Sequence, residues 1–302
     1  MGIMNNGRVN MVITNKILRY SYHKNNTVVG MVIHGEVELP DGTIKDGMIE
    51  NQGVFIEVVN ELVHEHKWKR KKLFFAMPDD TVVIRQLQVP KALTKEEAAG
   101  YVKTQIGNSF YLPFSNPAIA LEFLEIKNEK HNNLLLFAYP KDKVSTFEEA
   151  FIKAGLKPMA ADLTSLSVYR YYYLTKQQEI NRVLLIHWNK DALILTAFQN
   201  HKAIFSRYMK VNPILNDGEE SVQPLIGEYI IEINRIIDFY HYSITKGESQ
   251  INQLLLSGDF PYLHVVKSNL SESVTLPIHS FEKEELTAKY VDVLGLALKK
   301  DL

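Results

Sequence analysis

Three short clusters of residues have side chains that could do chemistry, but each also fits a structural role. His64-Glu65-His66 offers two imidazoles, yet residues two apart on a helix point to different faces, which favours an exposed helix end over a metal site. Asp79-Asp80 follows Pro78 and is typical of a solvated turn rather than of a metal site or a catalytic carboxylate pair. The run from His66 to Lys72 could contact RNA or anionic lipid, but we favour a charged connection with Trp68 folded onto the core.

Composition narrows the class of protein further. The 302 residues carry 34 Lys and Arg against 35 Asp and Glu, and this balance argues against nucleic acid as the main partner. Because there is no cysteine, disulfides, thiolate zinc ligands and thiol catalysis are excluded. The sequence contains no Gly-Lys phosphate loop and no Gly-x-Gly-x-x-Gly, Gly-x-Ser-x-Gly or His-Glu-x-x-His motif. These absences remove the commonest nucleotide, hydrolase and metalloprotease sites.

The chain shows neither a signal peptide nor a membrane span. Residues 1–16 lack the apolar core of about 7 to 15 residues that a signal peptide needs. No stretch approaches the roughly 20 consecutive apolar residues of a transmembrane helix. We therefore expect a cytoplasmic protein, and the length predicts about two domains.

Hydrophobic periodicity predicts an α/β protein with mixed sheets and two lobes. The expected strands are 9–22 (two strands around the turn Thr14-Asn15-Lys16), 28–39, 73–77, 82–89, 118–126, 134–139, 183–186, 193–198, 203–208 and 254–256. The expected helices are 54–65, 94–107, 143–154, 165–174, 224–247 and 286–299. Thr94 with Glu97 three residues later forms a capping box, and Pro224 suits the first turn of the longest helix. Residues 82–156 read as a compact βαββα unit inserted into the first lobe.

Three stretches, in a consistent order, resemble PilM, the actin-like protein of type IV pilus assembly machines. They are Val83-Ile84-Arg85-Gln86-Leu87-Gln88-Val89-Pro90 with Tyr111-Leu112-Pro113-Phe114; Ala154-Gly155-Leu156-Lys157-Pro158 with Asp162 and Arg170; and Glu232-Ile233-Asn234-Arg235 with Leu255-Leu256-Ser257-Gly258-Asp259. The resemblance implies the FtsA-like variant of the actin fold, whose first lobe carries an inserted subdomain. The implied divisions are 1–80 and 157–180 for the first lobe, 81–156 for the insertion, 181–285 for the second lobe, and 286–302 for a helix returning to the first lobe.

The resemblance also implies a nucleotide cleft between the lobes, built from two turns that hold phosphates. The first turn, Ile13 to Lys16, has neither Asp nor Gly, and the second, His187 to Asp191, has His187 where the family places an acid and the bulky Trp188 beside it. Lys16 and Lys190 could reach a phosphate. The nucleotide residues implied by the resemblance, if binding is retained, are Thr14, Asn15, Lys16, Asn189, Lys190, Gly258 and Asp259. We expect a vestigial cleft with no catalytic residue, no metal and no cofactor, ATP with magnesium being the alternative.

As a partner, the resemblance implies the short N-terminal cytoplasmic tail of the membrane protein PilN, docked between the insertion and the first lobe. Candidate residues near that junction are Arg85, Leu87, Phe110, Tyr111 and Phe114. The assembly ATPase and the platform protein would lie close by, and self-association stays open. We expect a scaffold of a type IV pilus, type II secretion or competence machine, recruited to the inner face of the membrane by its partners.

Two other functions remain open at this stage. One is an active actin-like ATPase or sugar-kinase relative, supported by the two-lobed pattern and Gly258. The other is an FtsA-like membrane tether, which would need an amphipathic terminal helix. Residues 286–302 form the sole candidate, and packing on the first lobe explains their apolar positions better.

Overall fold

The structure is a computed structural model that describes residues 7–25, 27–124, 131–176, 181–211, 218–281 and 285–300, with only the backbone described for 285–289. The strands are β1 Arg8–Ile13, β2 Ile17–His23, β3 Met31–Glu38, β4 Ile44–Lys45, β5 Met48–Ile49, β6 Lys72–Met77, β7 Val83–Pro90, β8 Pro117–Phe123, β9 His131–Pro140, β10 Lys157–Leu163, β11 Arg182–Trp188, β12 Ala192–Gln199, β13 Lys202–Lys210, β14 Gln253–Ser257 and β15 Ile278–Ser280. The helices are α1 Gln52–Glu65, α2 Lys95–Gln105, α3 Lys141–Lys153, α4 Thr164–Lys176, α5 Glu219–Phe239, α6 Leu263–Ser273 and α7 Glu285–Ala297.

Two five-stranded mixed sheets form the centres of the two lobes. The first sheet has the strand order β10-β6-β1-β2-β3 and the second has the order β13-β12-β11-β14-β15. In each sheet the strands before and after a helix pair in parallel, while the hairpins pair antiparallel. Strands β1 and β2 are buried at every position because helices cover both faces of the first sheet.

Helices α4 and α7 lie between the two sheets and join them. Their buried side chains, including Tyr172 and Leu294, share one core with Phe74 of the first sheet and Leu185 and Leu255 of the second. Gly295 permits this close packing, because a Cβ there would stand 1.8 Å from the carbonyl oxygen of Ser167 on α4. The helices on the outer faces are α1 and α3 in the first lobe and α5 and α6 in the second.

The three strands of the inserted unit form a separate antiparallel sheet of order β7-β9-β8. Helix α2 covers one face and contributes Ala98 and Val102 to a small core of its own. Helix α3 packs elsewhere: the rings of Phe147 and Phe151 make edge-to-face contacts with Phe55 of α1 in the first-lobe core. Within the span 81–156 expected for the insertion, the residues from β7 to β9 pack as a separate unit. Helix α3, at the end of that span, packs in the first-lobe core instead.

Several local expectations need correction. Helix α5 begins at Glu219, so Pro224 lies inside the helix rather than in its first turn and removes one helical hydrogen bond. Helix α6, strand β15 and the β4–β5 hairpin have no counterpart in the periodicity analysis. The capping box of Thr94 and Glu97 is present as expected, and Trp68 is buried as expected. Parts of the expected strand 118–126 and of the terminal helix region 286–302 lie outside the described residues.

The turn at Asp79-Asp80 is not solvated, contrary to the prediction from sequence. Asp79 is buried and its carboxylate accepts hydrogen bonds from the backbone N–H groups of Thr164 (2.8 Å) and Ser165 (3.1 Å), which caps α4. Burial raises the pKa of Asp79 to about 7. Asp80 accepts hydrogen bonds from Lys143 and from the Tyr139 hydroxyl. Both acids therefore hold helices in place rather than form a catalytic pair.

No helix within the described ranges is long and apolar enough to cross a bilayer.

Candidate functional site

Two junctions of the fold are the places where the sequence analysis expects ligands to bind. One is the cleft where the first-lobe hairpin β1–β2 meets the turns that follow β11 and β14 in the second lobe. The other is the groove between the inserted sheet and the first lobe. The side chains that line the cleft are mainly charged or polar and contact one another. The side chains that line the groove are mainly apolar and leave a cavity.

The first turn of the cleft is closed by its own side chains. The hydroxyl of Thr14 accepts hydrogen bonds from the N–H groups of Lys16 (3.2 Å) and Ile17 (2.9 Å). The side-chain oxygen of Asn15 accepts a hydrogen bond from Gly47 (3.1 Å), and Lys16 pairs with Asp41 at the surface. Lys16 therefore already has an anionic partner outside the cleft.

The second turn places His187 and Trp188 on opposite faces of β11. Trp188 is fully buried in the second-lobe core and stacks on Phe260 at 4.8 Å, so it does not obstruct the cleft as its bulk suggested. His187 is also buried: its Nε2 accepts from Asn189 (3.1 Å) and its Nδ1–H donates to the hydroxyl of Ser257 (2.9 Å). Burial lowers the pKa of His187 to about 4, so the imidazole is neutral at pH 7.

The third segment of the cleft, Gly258 with Asp259, contacts the second turn directly. Gly258 has φ +122°, and a Cβ there would lie 2.0 Å from the carbonyl oxygen of Trp188. One carboxylate oxygen of Asp259 accepts the N–H of Lys190 (3.0 Å), and the Asp259 N–H donates to the side chain of Asn189 (3.3 Å). The glycine thus serves the close approach of two protein backbones.

An arginine that the sequence analysis missed lies at the centre of the cleft. Arg19 on β2 is 3% exposed and contacts three carboxylates: Asp292 of α7 at 2.5 Å, Asp259 of the second lobe at 3.0 Å and Glu36 of β3 at 3.3 Å. Burial opposes its charge, but these acids raise the pKa of Arg19 above its ordinary value. A charged residue between Leu18 and Tyr20 of a buried strand is a signal that could have drawn attention to it, because a buried arginine needs partners.

Further contacts join the lobes at the rim of the cleft. Asn15 lies beside Asp191, the last residue of the second turn, and beside Tyr208 of β13. Burial, with a smaller contribution from the nearby Asp259, raises the pKa of Asp191. Lys210 at the end of β13 pairs with Asp46 of the β4–β5 turn. The two turns that would flank a phosphate are therefore in direct contact with each other.

The groove beside the inserted sheet is apolar and open. It has a volume of about 340 Å³ and lies between β8 and β9 of the inserted sheet and β10, α3 and α4 of the first lobe. Both β8 and β10 are the edge strands of their sheets. Its apolar lining includes Met77, Val82, Phe137, Val144, Leu163 and Leu166. Glu122, Asp162 and Lys299 also line it and supply its charged groups.

The five residues predicted to bind the partner lie on the other face of the inserted sheet, and none of them lines this groove. Leu87, Phe110 and Phe114 pack into the small core with α2. The guanidinium of Arg85 stands 5.7 Å from the centre of the Phe110 ring, and Tyr111 is 72% exposed beside it. Side chains alternate along β7, so its odd-numbered residues all face α2 and cannot reach the groove.

Comparisons with known proteins agree on the fold. The model of the family described as type IV pilus assembly protein PilM matches residues 13–211, about two thirds of the chain. Among the solved structures, a PilM–PilN type IV pilus biogenesis complex superposes with a TM-score of 0.79 at 16% identity, covering 97% of this chain and 99% of that chain. None of the curated proteins searched matches the sequence.

Two more distant structures share the architecture. The ethanolamine utilization protein EutJ from Carboxydothermus hydrogenoformans has a TM-score of 0.58 at 11% identity, covering 97% of this chain and 89% of that one. A protein of Bacteroides thetaiotaomicron with an actin-like ATPase fold and unknown function has a TM-score of 0.53 at 12% identity, covering 98% and 97%. The fold is thus the actin-like ATPase fold, and the match over residues 13–211 shows that the chain belongs to the family of type IV pilus assembly protein PilM.

Proposed function

We propose that this protein is a non-hydrolysing adaptor of a type IV pilus, type II secretion or competence machine, which binds the cytoplasmic tail of a PilN-like membrane protein in the groove beside the inserted sheet. The observation that carries the proposal is the contrast between an open apolar groove and a cleft filled by protein side chains. Membership of the PilM family and the likeness to a PilM–PilN complex support the choice of partner.

The groove suits an extended peptide for two reasons. Within the described residues, β8 and β10 each have one edge without a neighbouring strand, and such edges offer backbone N–H and C=O groups to an added strand. The aliphatic lining between them offers pockets for alternate side chains. Apolar anchors and backbone hydrogen bonds together give a short tail its affinity and its register.

The contacts inside the cleft support the part of the proposal that excludes a bound nucleotide. The carbonyl of Trp188 occupies the space beside Gly258, and the Arg19 cluster with Asp259 and Asp292 occupies the junction of the lobes. Asn15 and Asp191 touch across the rim, where the two phosphate turns would need to separate. We therefore assign no ATP, no magnesium and no hydrolytic step to this protein.

A terminal membrane tether is the least supported alternative. Among the described side chains of α7, Val291, Val293, Leu294 and Leu296 are all buried between the two sheets. A helix whose apolar face already packs in the core has no such face left for a bilayer. Contacts with the assembly ATPase, with the platform protein or with further copies of the chain remain part of the proposal.

The test is a fluorescence anisotropy titration with a labelled peptide of the tail of the PilN-like protein from the same cells. Ala120 on β8 is exposed and lines the groove, so Ala120→Glu adds a charge there without disturbing the core. We expect at least tenfold weaker binding for Ala120→Glu and no change for Tyr111→Ala. The reverse pattern would place the tail on the α2 face, and no binding by the wild type would remove the adaptor function.

The nucleotide part of the proposal has its own test. Calorimetric titration with magnesium-ATP should give no binding heat, and no phosphate should be released on incubation. Micromolar binding followed by phosphate release would instead establish an active actin-like ATPase.

A further inference from the structure

One end of the first-lobe sheet carries a cluster of basic residues that the adaptor function does not use. The side chains are exposed and come from three separate segments of the chain. We call this cluster the basic edge, and it consists of Lys24, Lys67, Lys69, Arg70, Lys72, Lys153 and Lys157. The segments 66–72 and 151–157 contain no Asp or Glu.

Backbone contacts bring the three segments to the same end of the sheet. Lys157 and Lys72 are register partners at the start of the parallel strands β10 and β6. The N–H of Arg70 donates to the carbonyl of Gly155 (2.7 Å), two residues after Lys153. The ammonium of Lys71 lies 5.7 Å from the ring of Tyr22, close to the end of β2 that leads into Lys24.

The loop that carries most of these cations is held in one conformation. Trp68 is buried at its centre, 5.6 Å from the Tyr20 ring and 6.2 Å from the Tyr22 ring. Lys67 (φ 58°) and Arg70 (φ 63°) adopt the left-handed conformation that favours glycine. The loop therefore keeps long cationic side chains at positions where a residue without a side chain would fit more easily.

The cations of the basic edge lack carboxylate partners within the described part of the chain. Among the ion pairs between described residues, none within 4.0 Å involves Lys24, Lys67, Lys69, Arg70 or Lys72. By contrast, Lys16, Lys143 and Lys210 elsewhere each pair with an aspartate. The nearest acid in sequence is Glu65, which lies beside His66 at 3.9 Å. In a chain with a net charge of −1, this edge is a local excess of positive charge.

Two exposed apolar side chains flank the cations. Ile152 precedes Lys153 at the end of α3, and Met159 lies two residues after Lys157 at the bulge of β10. Apolar side chains among unpaired cations suit the boundary between headgroups and acyl chains of an anionic bilayer. RNA binding would instead favour exposed aromatic rings for stacking, and the one aromatic ring in the loop after His66, Trp68, is buried.

We infer that the basic edge binds the surface of an anionic lipid bilayer, so that the protein touches the membrane directly as well as through its proposed partner. The inference goes beyond the proposed adaptor function and needs no protein partner. The binding is peripheral: the cations contact lipid phosphates, while Ile152 and Met159 reach the headgroup boundary.

The test is co-sedimentation of the purified chain with vesicles of phosphatidylcholine alone or with about one third phosphatidylglycerol. We expect binding to the anionic vesicles only, and weaker binding as salt rises because the exposed charges are screened within about 10 Å at 0.1 M. The triple variant Lys67→Gln, Lys69→Gln and Lys72→Gln should lower the partition coefficient at least tenfold, since each cation contributes about fivefold.

The matched control removes three exposed cations elsewhere: Lys95→Gln, Lys103→Gln and Lys141→Gln. It has the same net charge as the test variant, and we expect its binding to stay within twofold of the wild type. Equal losses in both variants, binding to neutral vesicles, or binding of single-stranded RNA without binding of anionic vesicles would each overturn the inference.

The double variant Ile152→Ser and Met159→Ser tests the apolar contribution to vesicle binding. We expect it to weaken binding severalfold, and unchanged binding would mean that these two side chains do not contribute.

A negative result in the vesicle experiment would not affect the proposed tail binding, and a negative tail titration would not affect the proposed lipid binding. The vesicles contain no protein, so their binding does not depend on the groove. The triple variant should bind the tail peptide with wild-type affinity, because none of its three positions lines the groove.

Discussion

The cleft between the lobes and the groove beside the inserted sheet are both junctions between units of the fold, but they differ in the side chains that line them. In the cleft, Arg19 contacts acids from β3, from the second lobe and from α7, and the turns on either side touch through Asn15. The groove keeps about 340 Å³ between two strand edges, lined largely by aliphatic side chains.

The difference supports the proposal that the fold keeps its architecture while its binding place moves from the cleft to the groove. Charged and polar groups buried in the cleft satisfy one another, so an incoming ligand would have to break several ion pairs and hydrogen bonds. Several apolar side chains in the groove, among them Val82, Phe137 and Leu166, are partly exposed to water. A ligand that covers them gains free energy of about 25 cal/mol for each Å² of apolar surface buried. Three substitutions test how much the contacts within the cleft contribute to the free energy of unfolding.

The largest effect is expected for Arg19→Ala. The substitution leaves Asp292 and Asp259 buried near each other without their cation, and removal of one partner from a buried ion pair costs about 3–5 kcal/mol. The free energy of unfolding from urea titration measures the loss. Lys210→Ala is the control, since it removes an exposed pair across the same cleft and should cost less than about 1 kcal/mol. Similar small losses in both variants would mean that the cleft is not held by the buried cluster.

The next effect is expected for Gly258→Ala. A methyl group there meets the Trp188 backbone at 2.0 Å in a φ region that disfavours a side chain, so we expect a loss of about 2–4 kcal/mol in unfolding free energy. Gly42→Ala is the matched control: Gly42 also has positive φ but no atom within 4 Å, and backbone strain alone costs about 1 kcal/mol. If the two variants were equally stable, the segment would have room for a ligand after all.

A pH-dependent effect is expected for His187. Its pKa of about 4 in the folded protein lies below the ordinary value of about 6.5, so the unfolded chain binds a proton more readily. The stability that the neutral imidazole contributes is fully present above about pH 6.5 and is lost as pH falls toward 4. Relative to His187→Gln, the wild type should lose up to about 3 kcal/mol between pH 6.5 and 4. Parallel stability curves would show that His187 is not held neutral in the core of the cleft.

Local patterns predicted the elements well where the signal lies within one segment. The capping box of Thr94 and Glu97 is satisfied within three residues of α2, and the stripe of Ile226, Ile230 and Ile233 follows from helical periodicity. Helix α6 was missed because its buried residues, Val265, Val266 and Leu270, form only a short apolar stripe among Ser, Asn and Lys.

The predicted partner residues show where the pattern stops being informative. Alternation along β7 correctly separates Arg85 and Leu87 from Gln86, but alternation does not say which face α2 will cover. The same limit applies to Asp79, whose role as the cap of α4 depends on residues 85 positions later in the chain.

Periodicity predicted the α/β class, and the ordered family-like stretches predicted the family. The absence of acids from the two phosphate turns stays an expectation that rests on the resemblance. Only the tertiary structure decided that Arg19 contacts Asp259 and Asp292, because these two acids lie 240 and 273 residues away along the chain. Likewise, the basic edge is visible in the sequence only as the run from His66 to Lys72. The sheet register adds Lys157, and the contact of Arg70 with Gly155 brings in Lys153. Charges interact through space over several ångströms, so the energy of each charge depends on its spatial neighbours. The order of residues along the chain does not reveal these neighbours.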